Sequence, residues 1–333
     1  MDIYRLVTTE KAYGGTIYEQ MVEEVLSSAP GIRMSQLKYQ WRWKKPWKYL
    51  EVFSMLRFLW KVRSQQGSWV IRTLESCLIP PGANSIFLVF HVDWNSSSLV
   101  SKVVQIWSWM VFRATASKSA PIVVISKYWE EFLKERGYKN IHLIYCAYHY
   151  EDYVVTDSDL KHFLEANQLQ EKKIVYVGNP QLKKGADLAL SIIQKLNDKS
   201  VVAIASGEGD LDIPVLKLKL NFKEYLCLLK AASVVMTLSR FKEGWNRVAH
   251  EAMIMGTPVI GSGRGGMGEL LEITSQSRVP SLDSEIVEKY VRQKLERKDE
   301  LSEKAKNYVY SFNILDFQKK WIGLIDGLRS KIS

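Results

Sequence analysis

The sequence is poor in cysteine and has no long uncharged apolar run. Its three cysteines, Cys77, Cys146 and Cys227, lie far apart without metal-ligand spacing, which indicates reduced thiols and a cytosolic protein. The longest apolar segment, Leu99 to Phe112, contains Lys102 and is too short to span a bilayer. Because the first residues, MDIYRLVTT, have the pattern of a strand, we also expect no signal peptide.

Acidic residues are nearly missing from the window between Lys38 and Arg63. Its eight Lys/Arg and single acid, Glu51, contribute +7 of the net charge of +10, and it holds four of the 11 tryptophans. Basic and indole side chains together suit the headgroup region of an anionic membrane or stacking on a nucleic acid. A buried crossover helix with a basic entry loop is a third interpretation. We favour a helix that packs partly on the sheet while its basic start lies on an anionic membrane surface, and we expect no nucleic-acid partner.

Strand-like and helix-like segments alternate along the chain in two runs, with no repeat period and no low-complexity tract. DIYRLVT and SIFLVFHVD are strands of the first run, and KIVYVGN, SVVAIASG and SVVMTLS are strands of the second. Such alternation predicts parallel sheets with crossover helices. A polar stretch near residues 147–172 separates the runs, and a chain of 333 residues exceeds what one core usually serves. The sequence therefore predicts two α/β domains.

A glycine pattern near the end of the second run fits G-x-G-x-x-G, at Gly261, Gly263 and Gly266. In a dinucleotide site this pattern opens a strand–helix–strand unit, and an acid about 20 residues later holds the ribose. Here it comes late in a domain, and mostly helical sequence follows. We therefore interpret it as a tight strand-to-helix turn that requires positive φ, and not as an NAD site.

The residues before this turn carry a more specific pattern. SRFKEGWNRVAHEAMIMGTPVIGSGRGGMGELL has seven residues between Glu243 and Glu251 and adds G-G-x-x-E at Gly265, Gly266 and Glu269. It resembles the signature of the retaining, GT-B-fold glycosyltransferases with an E-x7-E motif, which are family 4-like, group 1 enzymes. IVYVGNPQLKKGADLAL resembles the family's first strand and lysine–glycine turn of the second domain. YGGTIYEQMVEEVL resembles its N-terminal glycine loop, and NILDFQKKWIGLIDGLRSKI its final helix.

The resemblance implies an α/β fold of GT-B type, with two Rossmann-like, doubly wound parallel-sheet domains that face a cleft. Residues 1–160 would form the acceptor domain, residues 161–312 the nucleotide-sugar donor domain, and residues 313–333 a helix that returns to the first domain. The implied activity is retaining transfer of a hexose from a UDP- or GDP-linked donor to a lipid-linked or polysaccharide acceptor, in polysaccharide biosynthesis. It would need no metal or other cofactor. The implied location is cytoplasmic, peripheral on the inner face of the plasma membrane.

Two other functions stay open. Asn179 stands where the family usually has an arginine that works with the lysine on the diphosphate, which favours a phosphorylase-like relative that uses a sugar phosphate. A non-catalytic sugar- or membrane-binding module that keeps the fold is the second alternative. The D-x-D triplets at Asp157–Asp159 and Asp210–Asp212 resemble the metal motif of the other glycosyltransferase fold. We expect no metal at either triplet, and a helix cap at the first.

The resemblance assigns catalytic roles to His91, Glu243 and Lys184: His91 would face the donor sugar, Glu243 would accept from its hydroxyls, and Lys184 would hold the diphosphate. Glu251 would accept from the ribose hydroxyls, since an ionised carboxylate is acceptor-only. Backbone N–H groups at a helix N-terminus bind phosphate well. The remaining donor-binding residues are Gly14, Gly15, Thr16, Asn179, Gly244, Trp245, Asn246 and Arg247.

Each of these side chains also has an ordinary structural interpretation. His91 would be a hydrogen-bonded strand end, and Glu243 a capping or first-turn acid. Arg247 either supplies the missing guanidinium or is a solvated helix residue. Gly14 to Thr16 form either a loop over the reacting phosphate or a simple strand–helix turn.

Overall fold

The computed structural model describes residues 1–8, 14–40, 51–63, 65, 67–92, 99–207, 209, 211, 215–296 and 301–330. The chain divides into two compact units. The first consists of Met1–Ala147 with Ile314–Ser333, and the second of Tyr148–Asn313. Each unit contains one six-stranded sheet in which all neighbouring strands are parallel. The prediction of two parallel α/β domains is confirmed.

The first six strands of the chain form the first sheet, and the next six form the second sheet. The first sheet has the order β2-β1-β3-β4-β5-β6 and the second the order β12-β11-β10-β7-β8-β9. Their bounds are β1 (Asp2–Val7), β2 (Arg33–Lys38), β3 (Trp69–Thr73), β4 (Ser85–Val89), β5 (Ile122–Val124), β6 (Ile141–Leu143), β7 (Lys173–Tyr176), β8 (Val201–Ser206), β9 (Leu216–Leu218), β10 (Val234–Thr237), β11 (Val259–Gly261) and β12 (Ser277–Arg278).

Twelve α-helices lie in the described part of the chain, and many of them connect successive strands. They are α1 (Gly14–Ser27), α2 (Glu51–Lys61), α3 (Leu99–Thr115), α4 (Lys127–Lys134), α5 (Asp157–Ala166), α6 (Ala186–Leu196), α7 (Phe222–Ala231), α8 (Arg247–Ile254), α9 (Gly266–Ile273), α10 (Ser284–Glu296), α11 (Glu303–Val309) and α12 (Ile314–Arg329). Short 3₁₀ turns lie at Leu74–Ser76, Tyr150–Asp152 and Leu182–Lys184. Of the helices in the described part of the chain, none is both long and apolar enough to cross a bilayer.

The strand order of the first unit decides which helices share a face of its sheet. Connections between parallel strands are right-handed, and α2, α3 and α4 all lead across the sheet in the direction opposite to α1. They therefore cover one face, and α1 covers the other. The C-terminal helix α12 returns to this second face, where Phe317 packs edge-on against Tyr18 of α1 with ring centroids 5.2 Å apart. This return of the last helix to the first domain was predicted.

Central strands are buried on both faces because helices cover them. All five residues of β3 and of β4 are buried, whereas β2 at the edge alternates between exposed and half-buried residues. In the second unit, Val175, Val234 and Ile260 of adjacent strands form the core with Ile192 of α6 and Val287 of α10. The carboxyl ends of these strands carry the loops described below.

The junction between the units differs from the predicted boundary at residue 160. The segment that begins at Tyr148 belongs to the second unit. The Tyr150 hydroxyl donates to Val309 O at 2.7 Å, and the Tyr153 hydroxyl donates to Glu251 at 3.2 Å. These contacts reach far along the chain, so local composition gives no sign of them.

The first D-x-D triplet lies in the first turn of α5 and serves the helix. Thr156 is the N-cap, its hydroxyl accepts from the Asp159 amide, and the Asp159 carboxylate accepts from the Thr156 amide, which forms a capping box. Lys223 lies 2.7 Å from Asp159. Hydrogen bonds from Lys223 and Thr156 lower the pKa of Asp159 to about 2. Asp210 and Asp212 of the second triplet lie outside the described residues.

Candidate functional site

A buried carboxylate is the centre of the polar loop that follows β10. Glu243 is 4% exposed. Its Oε1 accepts from Lys184 Nζ at 2.8 Å and from the Ser239 hydroxyl, and its Oε2 accepts from Asn246 Nδ2 at 3.1 Å. A buried charge is tolerated only when it is paired and hydrogen-bonded, and here three side chains supply these partners. Lys184, Glu243 and Asn246, three of the residues singled out from the sequence, therefore lie together.

The turn that presents Lys184 is tied to the same loop. Gly185 ends the turn with φ +76°, and a Cβ at this position would clash with the carbonyl oxygen of Leu238. The Arg240 amide donates to Lys183 O at 2.9 Å. The Arg240 guanidinium holds both carboxylate oxygens of Asp187, at 2.8 and 2.7 Å, which is the strong bidentate geometry. The lysine turn and the loop after β10 are thus fixed to each other.

The glycine pattern of the sequence lies on the other side of this loop. Glu243 forms an isolated parallel bridge with Gly265, and the Gly266 amide donates to Glu243 O at 2.8 Å. Gly265 has φ +68°, and a Cβ there would clash with the backbone of Glu243. Gly263 also has positive φ, at +61°. The turn predicted from these glycines is present, and its close approach to Glu243 explains why glycine is needed.

The start of α8 uses its own side chains as caps. Asn246 is the N-cap, and its Oδ1 accepts from the Ala249 amide at 2.8 Å while its Nδ2 holds Glu243. The Trp245 indole points into the core, where it packs against Phe312 with ring centroids 5.3 Å apart. The Trp245 side chain is therefore part of the core beside this helix start.

Glu251 carries a second group of polar contacts, about one turn into α8. Its Oε2 accepts from the Tyr225 hydroxyl at 2.8 Å, and its Oε1 accepts from Tyr153 and from Arg247 Nη2 at 3.2 and 3.0 Å. Arg247 also lies over the ring of Tyr148, 4.6 Å from its centroid. The arginine side chain is 13% exposed. The interpretation of Arg247 as a solvated residue is thus wrong, because it pairs with Glu251 and stacks on an aromatic ring.

His250 is a buried neutral histidine beside these groups. Its Nδ1 accepts from the Trp245 indole N–H at 3.2 Å, so Nε2 carries the proton and donates to Val309 O at 2.9 Å. Burial lowers the pKa of His250 to about 3. The side chain therefore serves the packing of α8.

The other predicted site residues lie at strand and helix ends. Asn179 follows β7 beside Gly207, whose Cβ position would be 3.0 Å from Asn179 Nδ2. In the first unit, His91 lies two residues after the end of β4, half-buried, and Gly14 to Thr16 form the first turn of α1. The glycines are thus part of the helix itself.

Three contact residues were missed from the sequence. Ser239 touches Glu243, while Tyr153 and Tyr225 touch Glu251. Ser239 had a usable signal, because it comes directly after a buried strand at the edge of the sheet where ligands bind. The tyrosines had none, since they meet Glu251 from 98 and 26 residues away along the chain.

Residues 171–295 match the family model described as glycosyl transferases group 1. This segment is a group 1 glycosyltransferase domain. No curated protein matches the sequence.

Solved structures resemble the chain over its whole length. The sucrose-phosphate synthase of Thermosynechococcus elongatus has a TM-score of 0.78 at 17% identity, over 99% of each chain. HepE of Anabaena, solved with UDP and glucose, has a TM-score of 0.71 at 14% identity, over 98% of this chain and 100% of HepE. WaaG, a glycosyltransferase involved in lipopolysaccharide biosynthesis, has a TM-score of 0.67 at 12% identity, over 98% and 95%. At such identities the likeness establishes the GT-B fold, as predicted.

Replacing Gly265 by alanine should destabilise the glycosyltransferase domain. The new Cβ meets the backbone of Glu243, and positive φ strains it further, so we expect a loss of at least about 2 kcal/mol. Urea unfolding measures this loss. Gly256→Ala is the control, because Gly256 has φ +78° but open space around its Cβ position. Equal losses in the two variants would show that the loop contact contributes nothing.

The stability of this domain should fall as the pH falls below 6.5, because His250 stays neutral when folded and the unfolded chain takes up the proton first. Full stability is present above pH 6.5 and is lost progressively towards pH 3. His250→Gln keeps a donor for Val309 but cannot titrate. Between pH 7.5 and 5.0, the native protein should lose about 2 kcal/mol more than this variant in urea unfolding. An equal loss of stability in the native protein and in His250→Gln would contradict the assignment of this pH dependence to His250.

Proposed function

We propose that the protein is a retaining glycosyltransferase that moves a hexose from a UDP- or GDP-linked donor to a lipid-linked or polysaccharide acceptor. The observation that carries the proposal is the Lys184–Glu243–Asn246 cluster at the carboxyl end of a parallel sheet, where ligands bind in such folds. The group 1 domain around it supports transfer of a sugar. The complexes of HepE with UDP and UDP-glucose support a nucleotide-sugar donor.

Lys184 and Glu243 would bind different parts of the donor: Lys184 the diphosphate and Glu243 the sugar. Lys184 Nζ is a compact positive charge, and its side chain is 34% exposed, so it can reach a diphosphate. Lys184, Ser239 and Asn246 hold both carboxylate oxygens of Glu243 in place, and the carboxylate would accept hydrogen bonds from sugar hydroxyls. Such preorganised charges, aimed at the charge that develops on the leaving group, are the largest source of catalysis in many enzymes.

The transfer step needs no covalent intermediate on the protein. The acceptor hydroxyl attacks the anomeric carbon from the face that the phosphate leaves, so the new C–O bond forms as the old C–O bond to phosphate breaks. The acceptor's proton passes to a departing phosphate oxygen. Backbone N–H groups from Gly244 to Asn246 would bind the phosphates. We propose that no metal or other cofactor takes part. Activity that persists in excess chelator would support this.

Glu251 would accept hydrogen bonds from the ribose hydroxyls of the donor nucleotide. Its two oxygens offer about four acceptor sites, and Tyr153, Tyr225 and Arg247 use three of them. The two tyrosines would position the carboxylate for the ribose. Asn179 adds no charge to the diphosphate, and Arg247 is less exposed than Lys184, at 13% against 34%. Lys184 would therefore carry most of the positive charge there.

Membrane contact through Lys38–Arg63 is part of the same proposal, with the enzyme peripheral on the cytoplasmic face of the plasma membrane. Residues 41–50 of this window lie outside the described residues.

A phosphorylase-like reaction on a sugar phosphate is the second candidate, favoured by the neutral Asn179.

Lys184→Met should lower kcat about 10²- to 10³-fold with a nucleotide sugar, because it removes the charge that stabilises the leaving diphosphate. Glu243→Gln should also lower kcat. Lys183→Met is the matched control, since this neighbour meets the loop through its backbone carbonyl. A screen of UDP, GDP and ADP sugars by hydrolysis selects the donor. If no nucleotide raises the melting temperature, or if Lys183→Met is as damaging, the assignment is wrong.

Tyr225→Phe should weaken binding of the donor nucleotide about five- to tenfold, since the loss of one hydrogen bond to a charged group releases Glu251. The dissociation constant is measured by calorimetry. Tyr150→Phe serves for comparison, because its hydroxyl donates to Val309 and not to Glu251. An unchanged affinity in Tyr225→Phe would remove this tyrosine from the site.

A further inference from the structure

Helix α3 of the first unit exposes a row of large apolar side chains. Leu99 is 76% exposed, Val103 56%, Trp107 53% and Met110 57%. Their spacing of four, four and three residues places them on one side of the helix. The row is about 17 Å long at 1.5 Å per residue. Apolar side chains gathered in this way mark an interaction surface.

The opposite side of α3 packs against the core of the first unit. Trp109 and Phe112 are buried there against Phe87 of β4, Trp129 of α4 and Tyr138. The Ser108 hydroxyl is also buried and donates to Glu75 O at 3.4 Å. The core of the unit is therefore filled from this side of α3, and within the row the Trp107 indole N–H donates to Leu78 O.

Helix α2 adds to this surface. Phe53 and Trp60 lie two turns apart on its outer side and are 72% and 57% exposed. Both helices cover the same face of the sheet, and both touch the segment after β3. Leu59 of α2 belongs to a core cluster against which Leu78 packs, and the Trp107 indole N–H donates to Leu78 O at 2.9 Å.

The charge around this surface has one sign. Arg57, Lys61, Lys102 and Arg113 are all exposed on the two helices, whereas their single acid, Glu51, is 3% exposed. Lys102 and Arg113 flank the apolar row of α3 on one side, at about 100° per residue. Apolar side chains bordered by basic groups match the interface of an anionic bilayer. A second copy of the chain would instead bring two positive surfaces together.

We infer that the outer sides of α2 and α3 form one membrane-binding surface, and that α3 lies in the plane of an anionic bilayer with its apolar row inserted. The partner is a lipid surface with negative headgroups. The inference deepens the membrane part of the proposed function, which rested on Lys38–Arg63, by assigning the inserted element to α3. It does not depend on sugar transfer, so vesicle binding tests it separately from catalysis.

A fluorescent label on α3 tests insertion directly. Cys77, Cys146 and Cys227 are all buried, so an added surface cysteine reacts preferentially with an NBD probe. Val103→Cys should show a blue shift and a rise in emission with vesicles of equal phosphatidylcholine and phosphatidylglycerol. Leu315→Cys is the matched control, since Leu315 is 72% exposed on α12, which covers the opposite face of the sheet. Absence of the change at Val103, or an equal change at Leu315, would overturn the inference.

Substitution of the row tests its contribution to affinity. Leu99→Ser, Val103→Ser and Met110→Ser combined should lower the partition coefficient in vesicle flotation about tenfold or more, while Leu315→Ser should leave it unchanged. Circular dichroism checks that the exposed substitutions leave the fold intact. Unchanged flotation contradicts the inference. So does a dimer in light scattering that the triple variant dissociates, or binding to single-stranded RNA that the triple variant abolishes.

Discussion

The second unit depends on how one buried carboxylate is satisfied. Removing Glu243 from water is unfavourable unless its charge is paired and its oxygens are hydrogen-bonded. Lys184, Ser239 and Asn246 meet this requirement from three different places in the chain. This requirement brings three segments into contact: the turn after β7, the end of β10 and the start of α8. The backbone of the same glutamate pairs with Gly265 and fixes a fourth segment.

This arrangement separates the roles of the two motif glutamates. Glu243 lies in the loop and is held by groups that can also face a sugar, whereas Glu251 lies within α8 and is held by two tyrosine hydroxyls and an arginine. Seven intervening residues form the helix start, and His250 and Trp245 anchor that start to the core. The spacing therefore places two carboxylates of the same type in different surroundings.

Much of the fold was predictable from the sequence because its signals are local. Buried parallel strands such as β4 and β10 are continuous apolar runs, and the glycines around Gly265 mark a turn that other residues cannot adopt. The partners of the site were less predictable. Lys184 and Glu243 were expected from a resemblance, but Tyr153, Tyr225 and the pairing of Arg247 come from contacts between distant segments. The boundary at Tyr148 was missed for the same reason, since tyrosine hydroxyls that reach Val309 and Glu251 leave no local pattern.

The bidentate pair between Arg240 and Asp187 makes two distant stretches of the sequence depend on each other. Asp187 opens α6 and Arg240 follows β10, yet their two hydrogen bonds hold the backbone that positions Lys184. Loss of either partner leaves a charge without its complement and shifts the lysine turn against the loop. These two segments are therefore not independent units of variation. A substitution at 187 or 240 is therefore expected to be tolerated best when the other position changes with it.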